Sequence, residues 1–343
     1  MTVRVALIGC GFFARNHMLA WRDLPGAKVV AVCDLDSGRA GNFAAEFGAE
    51  AFTDPAVMLA EVRPDATDIV TTVASHRKLV TLAVQHSGAV ICQKPFAASL
   101  TDGQAMVSAC AAADVPLFVH ENFRWQAPWR AVQARLAAGV VGTPRFLRLS
   151  FRHAFDIYTA QPYLAEEPDL ALMDVGLHLF DMASCLMGDV VRVSCETQRL
   201  NPRVAGQDAF QALLRHSSGA VSSVECSFFA QLSPDPFPQT LGRVEGDAGT
   251  LEVLAGYRLR QHGSDGPADI DVEPELPIWG ARPWHLIQDS VCAFQTHVLE
   301  VLAGRAQPQP SGADNLRTLA VTLAAIRAAK SGATLVPEGA APG

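Results

Sequence analysis

Over the first 122 residues, short apolar runs alternate with longer stretches whose apolar residues recur at three- and four-residue spacing. The runs at Val3–Ile8, Lys28–Asp34, Glu50–Thr53, Asp68–Val73, Ala89–Gln93 and Val115–His120 predict six strands. The stretches between them carry helix punctuation. Asp36 or Ser37 caps a helix through Phe47 that Gly48 ends, and Asp54-Pro55 starts another with proline in its first turn. Ser75 caps a helix carrying Leu79, Val80, Leu82 and Ala83, closed by Gly88, and Ser99 caps one running to Ala113. Strand–helix alternation of this kind predicts an α/β domain over 1–122 with a parallel, doubly wound sheet.

The pattern changes after Glu121. The segment Glu121–Arg130 leads into a helix through Ala138, ended by Gly139, and strand-like runs then dominate: 145–152, 190–200, 209–216, 220–229, 240–246 and 250–256. Turn signals such as Ser217-Ser218-Gly219 and Asp247-Ala248-Gly249 join them as hairpins. One long helix, 170–187, interrupts the strands, a Pro/Asp/Gly-rich loop is expected over 264–279, and helices are expected over 283–303 and 311–329. The last carries Leu316, Leu319, Leu323 and Ile326 on one face, a packing pattern. The reading is a second, α+β domain over 123–335 with a largely antiparallel open sheet, then a mobile tail over 336–343. An open sheet face suits pairing with a second copy, so a homodimer or homotetramer is expected.

The junction of the first strand and first helix carries chemistry. Gly9, Gly11 and Ala14 stand in the spacing G-x-G-x-x-A. In such a turn the first glycine allows a sharp reversal and the second lets backbone N–H groups approach a pyrophosphate. The small third residue packs helix on strand, and the helix N terminus faces the phosphates. Asp34 ends the second strand about 20 residues past Ala14, where a ribose-binding carboxylate belongs. The cofactor is therefore read as a dinucleotide. An acid here accepts ribose hydroxyls and repels a 2′-phosphate, which favours NAD, while nearby Arg39 keeps NADP open.

Composition narrows the partners. The 343 residues are 49% hydrophobic and 18% charged with net charge −8, a globular balance that argues against nucleic acid and acidic membrane surfaces. No apolar stretch is long enough to span a bilayer, and MTVRVALIG enters the first strand directly, so no leader is expected. Eight cysteines are scattered without a C-x-x-C pair, so neither disulfides nor a metal site is expected, and the compartment is read as cytoplasmic.

Two further groups of residues stand out. Lys94, in Gln93-Lys94-Pro95, follows the fifth strand at the sheet's carboxyl edge, where ligands of doubly wound sheets bind. Its ammonium can stabilise alkoxide character on a carbinol oxygen, or it can be a plain surface lysine. Asp174, His178 and Asp181 share one face of the 170–187 helix, with Gly176 between the first two. Asp174 with His178 suits proton transfer; the plainer alternatives are a helix cap and a core histidine, and a metal reading lacks a fourth ligand.

Taken together, GCGFFA, Gln93-Lys94-Pro95 and Asp174-x-Gly-x-His178 resemble the glucose–fructose oxidoreductase / inositol dehydrogenase / rhizopine catabolism (Gfo/Idh/MocA) family over essentially the whole chain. The stretches ICQKP and His120–Trp125 are similar to those of its D-apiose dehydrogenase subgroup. The resemblance implies a Rossmann domain and NAD(P)-dependent oxidoreduction of a sugar, polyol or sugar derivative. It also implies catalytic roles for Lys94, Asp174 and His178, with His178 the expected proton acceptor. Gln93 departs from the glutamate usual before Lys-Pro and removes a carboxylate beside the ammonium. By analogy, Phe12, Phe13, Thr72, His76, Gln93, Lys94 and Asn122 join Gly9, Gly11, Ala14, Asp34 and Arg39 around the cofactor. Arg124, Trp125, Arg152, Tyr158 and Tyr163 are the expected sugar contacts. A non-catalytic cofactor-binding regulator on the same fold is the alternative, disfavoured by the joint presence of Lys94, Asp174 and His178.

Overall fold

A computed structural model describes residues 2–263 and 266–340. It divides the chain into two units: the residues up to Asn122 together with Ser290–Leu316, and Phe123–Asp289 together with the chain from Arg317 onward.

In the first unit, strands β1 (Val3–Ile8), β2 (Ala27–Cys33), β3 (Glu50–Phe52), β4 (Ala66–Ile69), β5 (Val90–Cys92) and β6 (Leu117–Val119) alternate with helices. These are α1 (Ala14–Asp23), α2 (Ser37–Phe47), α3 (Pro55–Val62), α4 (Val73–Ala83) and α5 (Leu100–Ala112). The sheet is parallel, ordered β3-β2-β1-β4-β5-β6, so strand order reverses at β1 and the turn after it opens at the switch point. The continuous apolar runs arise because both faces are covered: Val5, Ala6 and Leu7 have no exposed surface. The expected caps at Asp36, Asp54 and Ser99 form. Asp36 accepts from the N–H groups of Gly38 and Arg39, Asp54 from those of Ala56 and Val57, and Gly48 ends α2 at φ +66°.

In the second unit, α6 (Ala127–Ala137), β7 (Pro144–Arg152), a π-helical turn (Ala171–Gly176) and α7 (Leu177–Met187) precede the remaining strands. Those are β8 (Val190–Gln198), β9 (Ala209–His216), β10 (Val221–Ser227), β11 (Leu241–Gly246), β12 (Thr250–Leu254), β13 (Arg258–Gly263) and β14 (Gly266–Asp271). The eight-stranded sheet, β14-β13-β12-β11-β7-β10-β9-β8, is antiparallel except between β7 and β10. Its strands alternate: on β9, Ala212, Leu214 and His216 are buried while Gln211, Leu213 and Arg215 are exposed. Helix α7 covers β7 and β10. Helices α8 (His285–Leu302) and α9 (Gly312–Ser331) end the regular structure.

The structure differs from the sequence reading in four places. Ser75 does not cap its helix: α4 starts two residues earlier at Val73, and the Ser75 hydroxyl donates to Thr72 O at 2.8 Å. The segment leading into α6 holds a 3₁₀ turn, Asn122–Trp125, and Pro128 sits in the first turn of α6, where a missing N–H costs nothing. The helix expected over 170–187 opens as a π turn. Within the stretch expected as loop, β14 pairs with β13, held by Arg260 on Asp269 at 2.6 and 2.9 Å; Ser264 and Asp265 lie outside the described residues. The sequence reading ran the second domain unbroken from 123, yet Ser290–Leu316 groups with the first unit. There Phe294 meets Phe118 edge-on at 6.3 Å, Val119 N–H donates to Pro310 O, and Asn315 Nδ2 donates to Glu121 Oε1 at 3.2 Å. Of the tail expected over 336–343, residues 341–343 lie outside the described residues.

Candidate functional site

The turn after β1 shows why its glycines are glycines. Gly9 sits at φ +97°, and a Cβ there would lie 2.4 Å from Val70 O, so no other residue fits. Around the Cβ position of Gly11 nothing lies within 4 Å, leaving bare backbone on an open side. Ala14 is fully buried between α1 and the sheet. No side chain caps α1 at Phe13, so its first N–H groups face outward with the positive end of the dipole. Phe12 is 60% exposed, whereas Phe13 turns edge-on to His17 at 5.5 Å.

Asp34 is built into this turn. Its Oδ2 accepts the Cys10 N–H at 2.8 Å and its Oδ1 the Asp36 N–H at 2.9 Å. Arg39 reaches Asp34 Oδ1 at 3.1 Å and Asp36 Oδ2 at 3.8 Å, so its guanidinium is already matched by two carboxylates. Burial, reinforced by Asp34, pushes the Cys10 thiol up to about 12 and makes it a poor nucleophile. The residues fit a dinucleotide: side-chain-free turn, open helix N terminus, and a carboxylate with lone pairs to spare for hydroxyls.

The remaining first-unit candidates divide. Thr72 is the N-terminal flanking residue of α4 and is exposed. His76 is fully buried, with Nδ1 3.2 Å from Phe96 O and Nε2 3.1 Å from Thr71 O; burial lowers its pKa. Its ring therefore serves the packing of α4. Asn122 Nδ2 donates to Ser290 Oγ at 2.8 Å, fastening the end of β6 to α8. Gln93 is buried, its Oε1 accepting the Lys94 N–H at 2.7 Å, and Lys94 itself is partly exposed.

In the second unit the π turn carries Asp174 and runs directly into α7, which carries His178. Single π turns inside helices recur at functional sites. His178 is 3% exposed and stacks on Phe123, centroids 4.1 Å apart and planes within 4°. Gly176 lies close beneath Phe210, which a Cβ would approach to 3.2 Å. Asp174 is partly exposed and near enough to act on its neighbours' charges. Burial, then Asp208, Cys226 and Asp174 together push the Tyr158 phenol up to about 12. Burial drives His153 down to about 4, against the pull of Asp235 and Asp174.

Asp181 belongs to a different arrangement. It holds Arg124 with two 2.6 Å bonds, takes the Thr318 hydroxyl at 3.3 Å, and is fully buried. The Arg124 fork expected on a sugar is thus engaged inside the unit. Arg152 stands 3.6 Å from Glu225 and keeps a third of its side chain in solvent. Tyr163 is 67% exposed and donates to Gln161 Oε1 at 2.8 Å; Trp125 is partly buried in the 3₁₀ turn. Among the described residues, no group of three or more His, Cys, Asp or Glu side chains is placed to hold a metal ion. Sequence reasoning missed His17 and Asp68, which lie behind Gln93; a histidine one turn before Trp21, among the helix's core-facing positions, was the available signal.

Comparison with known proteins places these features. Residues 3–121 match the profile described as an oxidoreductase family with an NAD-binding Rossmann fold, and residues 129–252 match the GFO/IDH/MocA C-terminal domain. The chain is 46% identical over 331 residues to the D-apiose dehydrogenase of Rhizobium rhizogenes, covering 96% of each. It is 47% identical to that of Paraburkholderia graminis, covering 96% of this chain and 88% of the relative. A crystal structure of an oxidoreductase from Agrobacterium radiobacter, in complex with NAD+, L-tartaric acid and magnesium, superposes with TM-score 0.95 at 45% identity, covering 98% of each chain.

Proposed function

The chain belongs to the Gfo/Idh/MocA oxidoreductase family, and on that premise we propose that it is an NAD-dependent dehydrogenase of a sugar, with D-apiose or a similar aldose as substrate. The observation that carries the reading is the joining of the glycine turn to the Asp34 carboxylate through Cys10. The turn backbone and the α1 N terminus would hold the pyrophosphate, and Asp34 the ribose hydroxyls. Arg39, matched by Asp34 and Asp36, has no surplus charge for a 2′-phosphate, which supports NAD over NADP. When bound, NAD supplies the hydride acceptor.

The chain's own residues handle the oxygen and the proton. The Lys94 ammonium donates to the carbinol oxygen and stabilises the negative charge that grows there as the carbonyl forms. His178 takes the hydroxyl proton, its ring plane fixed by Phe123. Asp174 is assigned to orient either Lys94 or His178. Arg152 and Tyr158 are the assigned sugar-hydroxyl contacts, and Arg124 is assigned to the Asp181 pair instead. A non-catalytic regulator is disfavoured by dehydrogenase relatives aligned across 96% of the chain.

The compartment is read as cytoplasmic, in keeping with eight cysteines that form no disulfide; among the described residues no helix is long and apolar enough to cross a membrane. The exposed face of the eight-stranded sheet, with Leu213 54% exposed, is the surface assigned to self-association. Light scattering checks the latter. The activity is tested by a plate of sugars, polyols and sugar acids, including D-apiose and inositols, each with NAD and NADP, followed by nicotinamide absorbance. Reduction of NAD by an aldose is expected. Silence across the plate, with NADH binding shown separately, would overturn the catalytic reading.

A further inference from the structure

Behind Lys94 runs a buried line of polar groups in which His17, Trp21 and Asp68 belong to no expected site. The Lys94 N–H donates to Gln93 Oε1 at 2.7 Å. Gln93 Nε2 faces His17 Nε2 at 3.3 Å, and His17 Nδ1 faces Asp68 Oδ2 at 2.8 Å. Trp21 Nε1, one turn along α1 from His17, donates to the same Asp68 oxygen at 2.8 Å. His17, Trp21 and Asp68 are fully buried and Gln93 is 8% exposed.

The line has one self-consistent direction. Because Gln93 Oε1 accepts from the backbone, its NH₂ must face His17. His17 Nε2 is then the acceptor, and its Nδ1–H donates to Asp68 Oδ2. Every polar contact along the line pairs a donor with an acceptor. A glutamate at 93 would keep the acceptor for the Lys94 N–H and lose only the donor to His17 Nε2. The glutamine and the histidine are therefore matched to each other. His17 and Trp21 stand on α1 and Asp68 on β4, so the inner end of the line is anchored in rigid elements, while its outer end meets Lys94 in the turn after β5.

We propose that Asp68, His17 and Gln93 form a positioning line that fixes the Lys94 backbone, and with it the aim of the ammonium, from inside the first unit. The inference rests on the reading of Lys94 as the group that binds the substrate oxygen. Each contact of this buried line pairs a donor with an acceptor, although Asp68 Oδ1 takes no bond among the described residues. Such low-dielectric hydrogen bonds rigidify what they hold, and an aim lost by a fraction of an ångström is read in turnover more than in binding.

The test uses the full-length enzyme with the sugar found by the screen, and the variants Lys94→Met, Gln93→Leu, Gln93→Glu and His17→Phe. For each, kcat and KM are measured alongside the Kd for NADH by fluorescence. Gln93→Leu and His17→Phe are expected to lower kcat about 10- to 100-fold while KM and the NADH Kd stay within about threefold. Gln93→Glu keeps an acceptor for the Lys94 N–H and is expected to recover at least tenfold of the kcat lost in Gln93→Leu. Undiminished kcat in Gln93→Leu, or equal losses in the leucine and glutamate variants, would overturn the positioning line. Should His17→Phe fail to fold, the two Gln93 variants decide the matter. Lys94→Met reports separately: if it turns over normally, the reading of Lys94 falls, whatever the Gln93 variants do.

Discussion

Asp34 Oδ2 accepts the backbone N–H of Cys10 at 2.8 Å, so the carboxylate expected to receive the ribose also ties down the phosphate turn. One side chain performs two tasks, and its removal damages both. Asp34→Ala is expected to weaken NADH binding about 10- to 100-fold, as the loss of hydrogen bonds to a charged group predicts. The same variant narrows the gap between NADH and NADPH, because Arg39 then loses one of its two carboxylates. Calorimetric titration with each nucleotide measures both effects; unchanged affinities would remove Asp34 from the site.

Lys94→Ala addresses the chemistry directly. Turnover is expected to fall about 10²- to 10³-fold with NADH affinity unchanged, the signature of a group that stabilises developing charge. Steady-state kinetics beside a binding titration separates the two. A parallel loss of nucleotide binding would assign Lys94 to the cofactor instead.

Arg124 and Asp181 make a testable core pair. Asp181→Ala leaves a buried guanidinium without its carboxylate and is expected to cost about 3–5 kcal/mol. The double change Arg124→Met with Asp181→Leu, which removes both charges, should cost far less. Chemical denaturation of the three proteins gives the comparison. Similar losses in single and double variants would show that the pair's shape, not its charge, matters.

His153 sets a pH dependence. It sits in an aromatic cluster, 5.0 Å from Phe151, 4.8 Å from Phe237 and 5.3 Å from Phe228, and its Nδ1 accepts the Phe155 N–H. Burial lowers its pKa from 6.5 to about 4, so between those values the unfolded chain binds the proton and the folded one does not. Stability therefore falls as pH drops from 6.5 toward 4, by about 3 kcal/mol from this group. His76 and His216 are pushed the same way by burial and add to the slope. Melting His153→Gln across that range should show a shallower fall than wild type, and an equal slope would contradict the assignment.

Much of the first unit was legible because its determinants are local. Continuous apolar runs mark strands covered on both faces, and Asp36, Asp54 and Ser99 announce their helices. The β13–β14 hairpin escaped because RLRQHG and GPADID show little apolar alternation; salt bridges at Asp269 hold this exposed edge instead. The π turn was invisible since one added residue per turn leaves no mark in composition. His17 and Asp68 are 51 positions apart, and Asn315 and Glu121 are 194 apart. Such partners follow from the fold and not from any spacing, so the supports of the site were less readable than its glycines.

The return of Ser290–Leu316 to the first unit bears on how the protein is made. The dinucleotide half is interrupted by 167 residues, 123 through 289, that must leave the ribosome before its last segment does. At about 5–20 residues per second, residue 316 follows residue 122 by roughly 10–40 s. During that interval Phe118 and Glu121 wait without Phe294 and Asn315. A fragment stopped at residue 122 should accordingly be insoluble, and newly made chains should engage chaperones until the C-terminal helices emerge.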